Sequence, residues 1–132
     1  MTTVPCIECV VTFIAANEGG RSSALPPGDS LRNTYRPHLV IGDMNQRHAV
    51  VTDGNHLTEE YIGIAFHRGP AVPEVGVEML AVLTPIYFPH AMYDRLKPGV
   101  TFTVREGPKI VAYGTVRRWL DDGCHETAVR LY

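Results

Sequence analysis

Thr101-Phe102-Thr103-Val104-Arg105-Glu106-Gly107-Pro108-Lys109-Ile110-Val111-Ala112-Tyr113-Gly114-Thr115-Val116-Arg117-Arg118-Trp119 is the stretch whose reading decides the fold. Two runs rich in Val, Thr, Ile and aromatic residues flank Glu106-Gly107-Pro108-Lys109, a short Gly-containing connection, which reads as a β-hairpin. Upstream, Ile7, Cys9, Val11, Phe13 and Ala15 alternate with Glu8, Val10, Thr12 and Ile14, a period of two that marks a first strand with one strongly apolar face. Further β runs are His38 to Ile41, Ala49 to Thr52, Tyr61 to Phe66 and Val77 to Thr84, and Asp121-Asp122-Gly123 offers a turn before a last strand, Glu126 to Leu131. Ten prolines and twelve glycines interrupt any helical periodicity before it reaches normal helix length. The pattern predicts an all-β chain, an antiparallel sandwich or closed barrel.

Two segments break the regularity. Residues 22–34 are polar and contain Pro26-Pro27-Gly28, which suits an exposed loop. Residues 85–98 gather Tyr87, Phe88, His90, Met92 and Tyr93, with Ala91 to Leu96 fit for one or two helical turns. Aromatic residues and Met on a loop serve either as interface anchors or as a plug folded back over the barrel end.

The 132 residues are 45% hydrophobic and 20% charged, which predicts one globular domain spanning 1–132. A net charge of -2 gives no global attraction to phosphate, so nucleic-acid binding would rest on a local patch. No secretory leader and no apolar run near the ~20 residues of a membrane helix is visible. The expectation is a cytoplasmic, non-membrane protein. Three cysteines, an odd and low count, predict free thiols.

Cys6-Ile7-Glu8-Cys9 has the spacing of a zinc or redox pair, to which Cys124-His125 would add two more ligands, but residues three apart in a strand point to opposite faces, and no metal site is expected. The six histidines form no ligand set. His90 and Asp94, four apart, would meet on a helical turn as an acid–base pair or a surface ion pair. Ser22 and Ser23 lack the Gly-flanked elbow of a hydrolase nucleophile. Nothing in the chain points to catalysis, and no cofactor is expected.

Four strings occur in order: Cys6 to Arg21, ending in Asn17-Glu18-Gly19-Gly20-Arg21; Tyr35-Arg36-Pro37; Leu83-Thr84-Pro85-Ile86; and Phe102-Thr103-Val104-Arg105-Glu106-Gly107 with Ile110-Val111-Ala112-Tyr113-Gly114-Thr115-Val116. Together they resemble the third, C-terminal domain of translation elongation factor Tu over roughly Cys6 to Leu120. The resemblance implies a six-stranded antiparallel Greek-key barrel, with an additional C-terminal strand possible. It also implies surfaces that in the family contact the GTPase domain, the T-arm of aminoacyl-tRNA and the exchange factor. The family's Gly-rich phosphate loop ending in Gly-Lys-Ser/Thr has no counterpart here, so nucleotide binding and GTP hydrolysis do not carry over. The connections after Ser23 and after Ile86 are longer than the family's, which puts inherited tRNA and exchange-factor contacts in doubt.

Gly19 and Gly20 permit positive φ in a tight reversal. Arg21 beside them is a donor for carboxylate or phosphate, or an intramolecular or solvated cation. Arg105 and Glu106 read as partner contacts or as a pair across the hairpin, and Tyr35 as a partner contact or a cover for the barrel end. The expected partner-contacting set is Arg21, Tyr35, Arg36, Tyr87, Phe88, His90, Tyr93, Arg105 and Lys109. The predicted function is a non-enzymatic binding module for a protein of the translation apparatus, or for tRNA through a local basic patch. The alternative is a protein-only inhibitor or immunity-type partner unrelated to translation.

Overall fold

The alternation along Cys6–Phe13 becomes strand β1, with Ile7, Cys9, Val11 and Phe13 in the central core. The computed structural model describes residues 4–20, 31, 34–52, 58–70 and 73–121. Within them follow β2 (His38–Ile41), β3 (Ile62–Arg68), β4 (Met79–Pro85), β5 (Thr101–Glu106) and β6 (Lys109–Leu120). These close into an antiparallel barrel in the order β1-β4-β3-β2-β5-β6. Because β2, β3 and β4 are consecutive neighbours and β5 returns to lie beside β2, the connectivity is that of a Greek key.

The hairpin read from the sequence is β5–β6, running from Thr101 opposite Thr115 to Glu106 opposite Lys109. Its two-residue turn is Gly107-Pro108, and Gly107 takes φ 58°, which a Cβ would resist. The 12-residue β6 also pairs with β1, from Cys6 opposite Leu120 to Phe13 opposite Ala112, and this shared strand closes the barrel. Between Glu8 and Cys9 the register slips, so Glu8 faces Arg118 and Cys9 faces Val116. The bulge brings both Arg117 and Arg118 to the buried Glu8 carboxylate, at 3.4 Å each.

Two sequence expectations are corrected. Ala49 to Thr52 is not a strand: Val51 keeps only an isolated bridge, and Val50 and Val51 are 54% and 47% exposed, with no sheet face against which to bury them. Cys6 is not a free thiol but half of a disulfide whose partner lies outside the described residues, while Cys9 is free and buried. An odd cysteine count requires one thiol left over, not three. Gly20 does not need positive φ; it is required because a Cβ would sit 2.0 Å from the Ile14 carbonyl oxygen, whereas Gly19 does take φ 95°. The last strand, Glu126 to Leu131, and most of 22–34 lie outside the described residues.

Cys6 and Cys9 diverge as a strand dictates, Cys6 into a small outer cluster with Val82 and Cys9 into the central core. Burial, helped by neighbouring Glu8, pushes the Cys9 thiol far above its ordinary range, so it is a packed apolar group rather than a nucleophile. Among the described residues no helix is long and apolar enough to cross a membrane.

Candidate partner-binding surfaces

The 85–98 segment is both plug and patch. Ala91–Arg95 forms a short 3-10 turn, and Tyr93 drops from it into the barrel end, only 2% exposed. Its hydroxyl donates to the Gly63 carbonyl at 2.6 Å and accepts the Tyr87 N–H at 2.9 Å, pinning the loop to β3. Burial holds the Tyr93 phenol above its ordinary pKa, so it remains a donor. The Tyr87 ring then lies over Gly63, where an added Cβ would meet ring carbon Cε2 at 2.5 Å. Tyr87 nevertheless stays 58% exposed, and Phe88 36%.

His90 caps the turn: its Nδ1 accepts the Met92 N–H at 3.0 Å, and no hydrogen bond or ion pair joins it to Asp94 among the described residues. Phe88, His90, Tyr93 and Trp119 line a cavity of about 380 Å³. Trp119 is fixed by its indole N–H, which donates to the Leu96 carbonyl at 2.6 Å.

Tyr35, Arg36 and Arg105 meet at a second cavity of about 340 Å³, together with His38, Glu106 and Gly107. Tyr35 is 2% exposed and packs its ring 5.4 Å from Phe66 and 6.3 Å from Phe13, while its hydroxyl donates to the Glu106 carboxylate. Arg36 is exposed. The Arg105 side chain is fully buried, donating through Nη1 and Nη2 to Glu59 at 2.8 and 3.1 Å, through Nη1 to the Tyr61 hydroxyl, and through Nε to Thr103. Burial alone would lower the Arg105 pKa, but its hydrogen bonds to Glu59 and Tyr61 outweigh that and raise it.

Glu59 is the centre of this arrangement. Besides Arg105 it accepts from the Gln46 side chain at 2.9 Å and from the Val50 N–H at 2.8 Å, so one carboxylate ties the 42–60 connection to β5. The Arg105 hydrogen bonds, against some desolvation, hold its pKa down to about 2.

Lys109 stands apart from both places. It is exposed and shares a cavity of about 360 Å³ with Arg47, His48, Gly19 and Pro108, and among the described residues the lining holds no carboxylate. Arg47 is held there by the Tyr113 ring, 5.0 Å from guanidinium carbon to centroid, and by donation to the Met44 and Gln46 carbonyls. Arg21 lies outside the described residues.

The residues singled out in the sequence therefore fall on three separate places. Sequence reading missed Glu59, Arg47 and Trp119. Trp119, the single tryptophan, is visible as a strand residue but not as a cavity wall, and Glu59 and Arg47 sit in a connection without periodicity. No protein-family model matches the chain, and no curated protein matches it in sequence.

Proposed function

We propose that this chain is a non-enzymatic binding module that holds a protein partner of the translation apparatus through the 85–98 loop. The observation that carries the reading is the division of labour between three tyrosine and phenylalanine side chains. Tyr93 is buried and locks the loop on β3, and Tyr87 and Phe88 are thereby presented to solvent on a fixed backbone. Large aromatics held rigidly lose little conformational entropy on association and are the side chains most enriched at interface centres. The translation assignment rests on the resemblance of the Glu-Gly-Gly-Arg, Tyr-Arg-Pro and Arg-Glu-Gly strings to the third domain of elongation factor Tu.

A second reading, tRNA as the partner, is favoured by the cavity of Arg47, His48 and Lys109, which no carboxylate lines among the described residues. A few cations on one face are enough to grip a phosphate backbone locally even at net charge -2.

The test is affinity capture from lysate of the native host, with and without nuclease and across a salt series, using the wild type and Tyr87→Ala. Capture that resists nuclease and salt and is lost in Tyr87→Ala supports a protein partner at the loop. Nuclease-sensitive capture that weakens steeply with salt and is lost in Lys109→Ala supports the RNA reading. Capture of nothing by the folded wild type sinks both.

A further inference from the structure

We infer that the cavity between the 85–98 loop and Trp119 receives a cationic side chain, an arginine or lysine of the protein partner, held between aromatic walls and two carboxylates. The inference rests on the binding-module reading and specifies the chemistry of its partner.

The walls come first. Phe88, Tyr93 and Trp119 line the cavity, and Pro5, Pro89 and Leu96 extend its apolar surface. The polar handles of the two fixed rings are engaged elsewhere, Trp119 N–H on the Leu96 carbonyl and Tyr93 O–H on the Gly63 carbonyl. What the rings have left to offer a guest is their π surface and edges. At about 380 Å³ the space exceeds what a few waters need and accommodates a long side chain with its backbone.

The charges select among guests. Asp94, Asp121 and Lys97 also line the cavity, two carboxylates against one ammonium among the described residues. None of their three side chains has a hydrogen bond or ion pair among the described residues. The Nδ1 of His90 is taken up by the Met92 N–H. An anionic guest meets two carboxylates, and a purely aliphatic one leaves them unused. A cation on an apolar stem satisfies both parts of the site, its stem against the prolines and Leu96 and its head between ring and carboxylate. Arginine suits it better than lysine, because a planar guanidinium stacks on a ring while its edge pairs with a carboxylate.

Trp119 is the single tryptophan of the chain, so its fluorescence reports this cavity directly. The protein is titrated with N-acetyl-L-arginine methylamide and, in parallel, with the uncharged isostere N-acetyl-L-citrulline methylamide. The arginine compound is expected to give a saturable change with a Kd on the order of millimolar, as befits a single side chain detached from its partner. The citrulline compound should bind several-fold more weakly. Asp94→Asn and Asp121→Asn should each weaken arginine binding by roughly two- to fivefold, and Lys97→Gln should strengthen it by a similar factor. All three residues are exposed, so folding is not at stake. Absence of a saturable change overturns the inference, as does equal binding of arginine and citrulline, or unchanged affinity in the Asp94→Asn/Asp121→Asn double variant. The binding-module reading is judged separately by Tyr87→Ala capture, since Tyr87 does not line the cavity.

Discussion

The Arg105 guanidinium grips one carboxylate with both terminal nitrogens, Nη1 to Glu59 Oε1 at 2.8 Å and Nη2 to Oε2 at 3.1 Å, across 46 residues of sequence. Tyr61 lies beneath the same guanidinium, 5.5 Å from its carbon to the ring centroid. Truncating Arg105 removes a fully buried cation and leaves Glu59 facing the barrel wall without its main partner. Arg105→Met should therefore destabilise by about 3–5 kcal/mol, measured by denaturant unfolding. Glu59→Gln in that background should add less than it costs alone, because the two residues act on one interaction. If Arg105→Met retains wild-type stability, the clasp is not what holds the 42–60 connection.

The same pair sets a pH dependence. Glu59 is held down to about 2 in the folded protein against an ordinary value of 4.5, chiefly by Arg105. A depressed carboxylate stabilises fully above the unfolded pKa and loses that contribution as pH falls through the folded one. Unfolding midpoints should thus decline from near pH 4.5 toward pH 2, and Glu59→Gln should flatten that decline. Equal slopes in both proteins would contradict the assignment.

Tyr93 and Tyr87 should separate stability from binding. Tyr93→Phe deletes the hydroxyl that serves both Gly63 and Tyr87, and should cost about 1–3 kcal/mol because two backbone groups lose a partner. Tyr87→Ala removes a side chain that is 58% exposed and should shift stability by about 1 kcal/mol or less. Thermal unfolding of the two variants decides this, and a larger loss in Tyr87→Ala would mean that its contact with Gly63 outweighs its exposure.

Gly19 and Gly20 should differ on replacement by Ala for different physical reasons. At Gly19 the added methyl has open space but φ 95° disfavours an L residue, a cost of about 1–2 kcal/mol. At Gly20 the methyl collides with the backbone of Ile14 and Ala15, which cannot rotate away, so the loss should exceed that of Gly19→Ala. Comparing the two midpoints tests whether space or dihedral governs this turn.

Cys9 should resist alkylation by iodoacetamide at neutral pH in the folded protein and react once the chain is unfolded. Its side chain is wholly buried and its thiol is shifted upward by burial, so little thiolate is available. Labelling of native protein at Cys9, read by mass spectrometry, would refute this.

By itself the sequence determined the local rules of the barrel. The period of two along Ile7 to Phe13 assigned an inward face, because alternate side chains of a strand must point to opposite sides. The short Gly-containing connection Glu106-Gly107-Pro108-Lys109 marked a hairpin, because glycine accepts the positive φ that Gly107 takes there. Prolines bracketing 85–98 confined the helical conformation there to a single short element. Only the tertiary structure decided what depends on meetings between distant residues. Arg105 looked available beside Glu106, yet a strand side chain reaches across the sheet rather than along it, and Glu59 from an aperiodic connection meets it there. Tyr35 likewise went to Glu106 and to the Phe66 and Phe13 rings. Trp119 became a cavity wall only because β6 runs past β5 and brings it beside Leu96. Within the 85–98 loop, composition marked an aromatic cluster, but which ring is buried and which is presented was fixed by one hydroxyl reaching the Gly63 carbonyl.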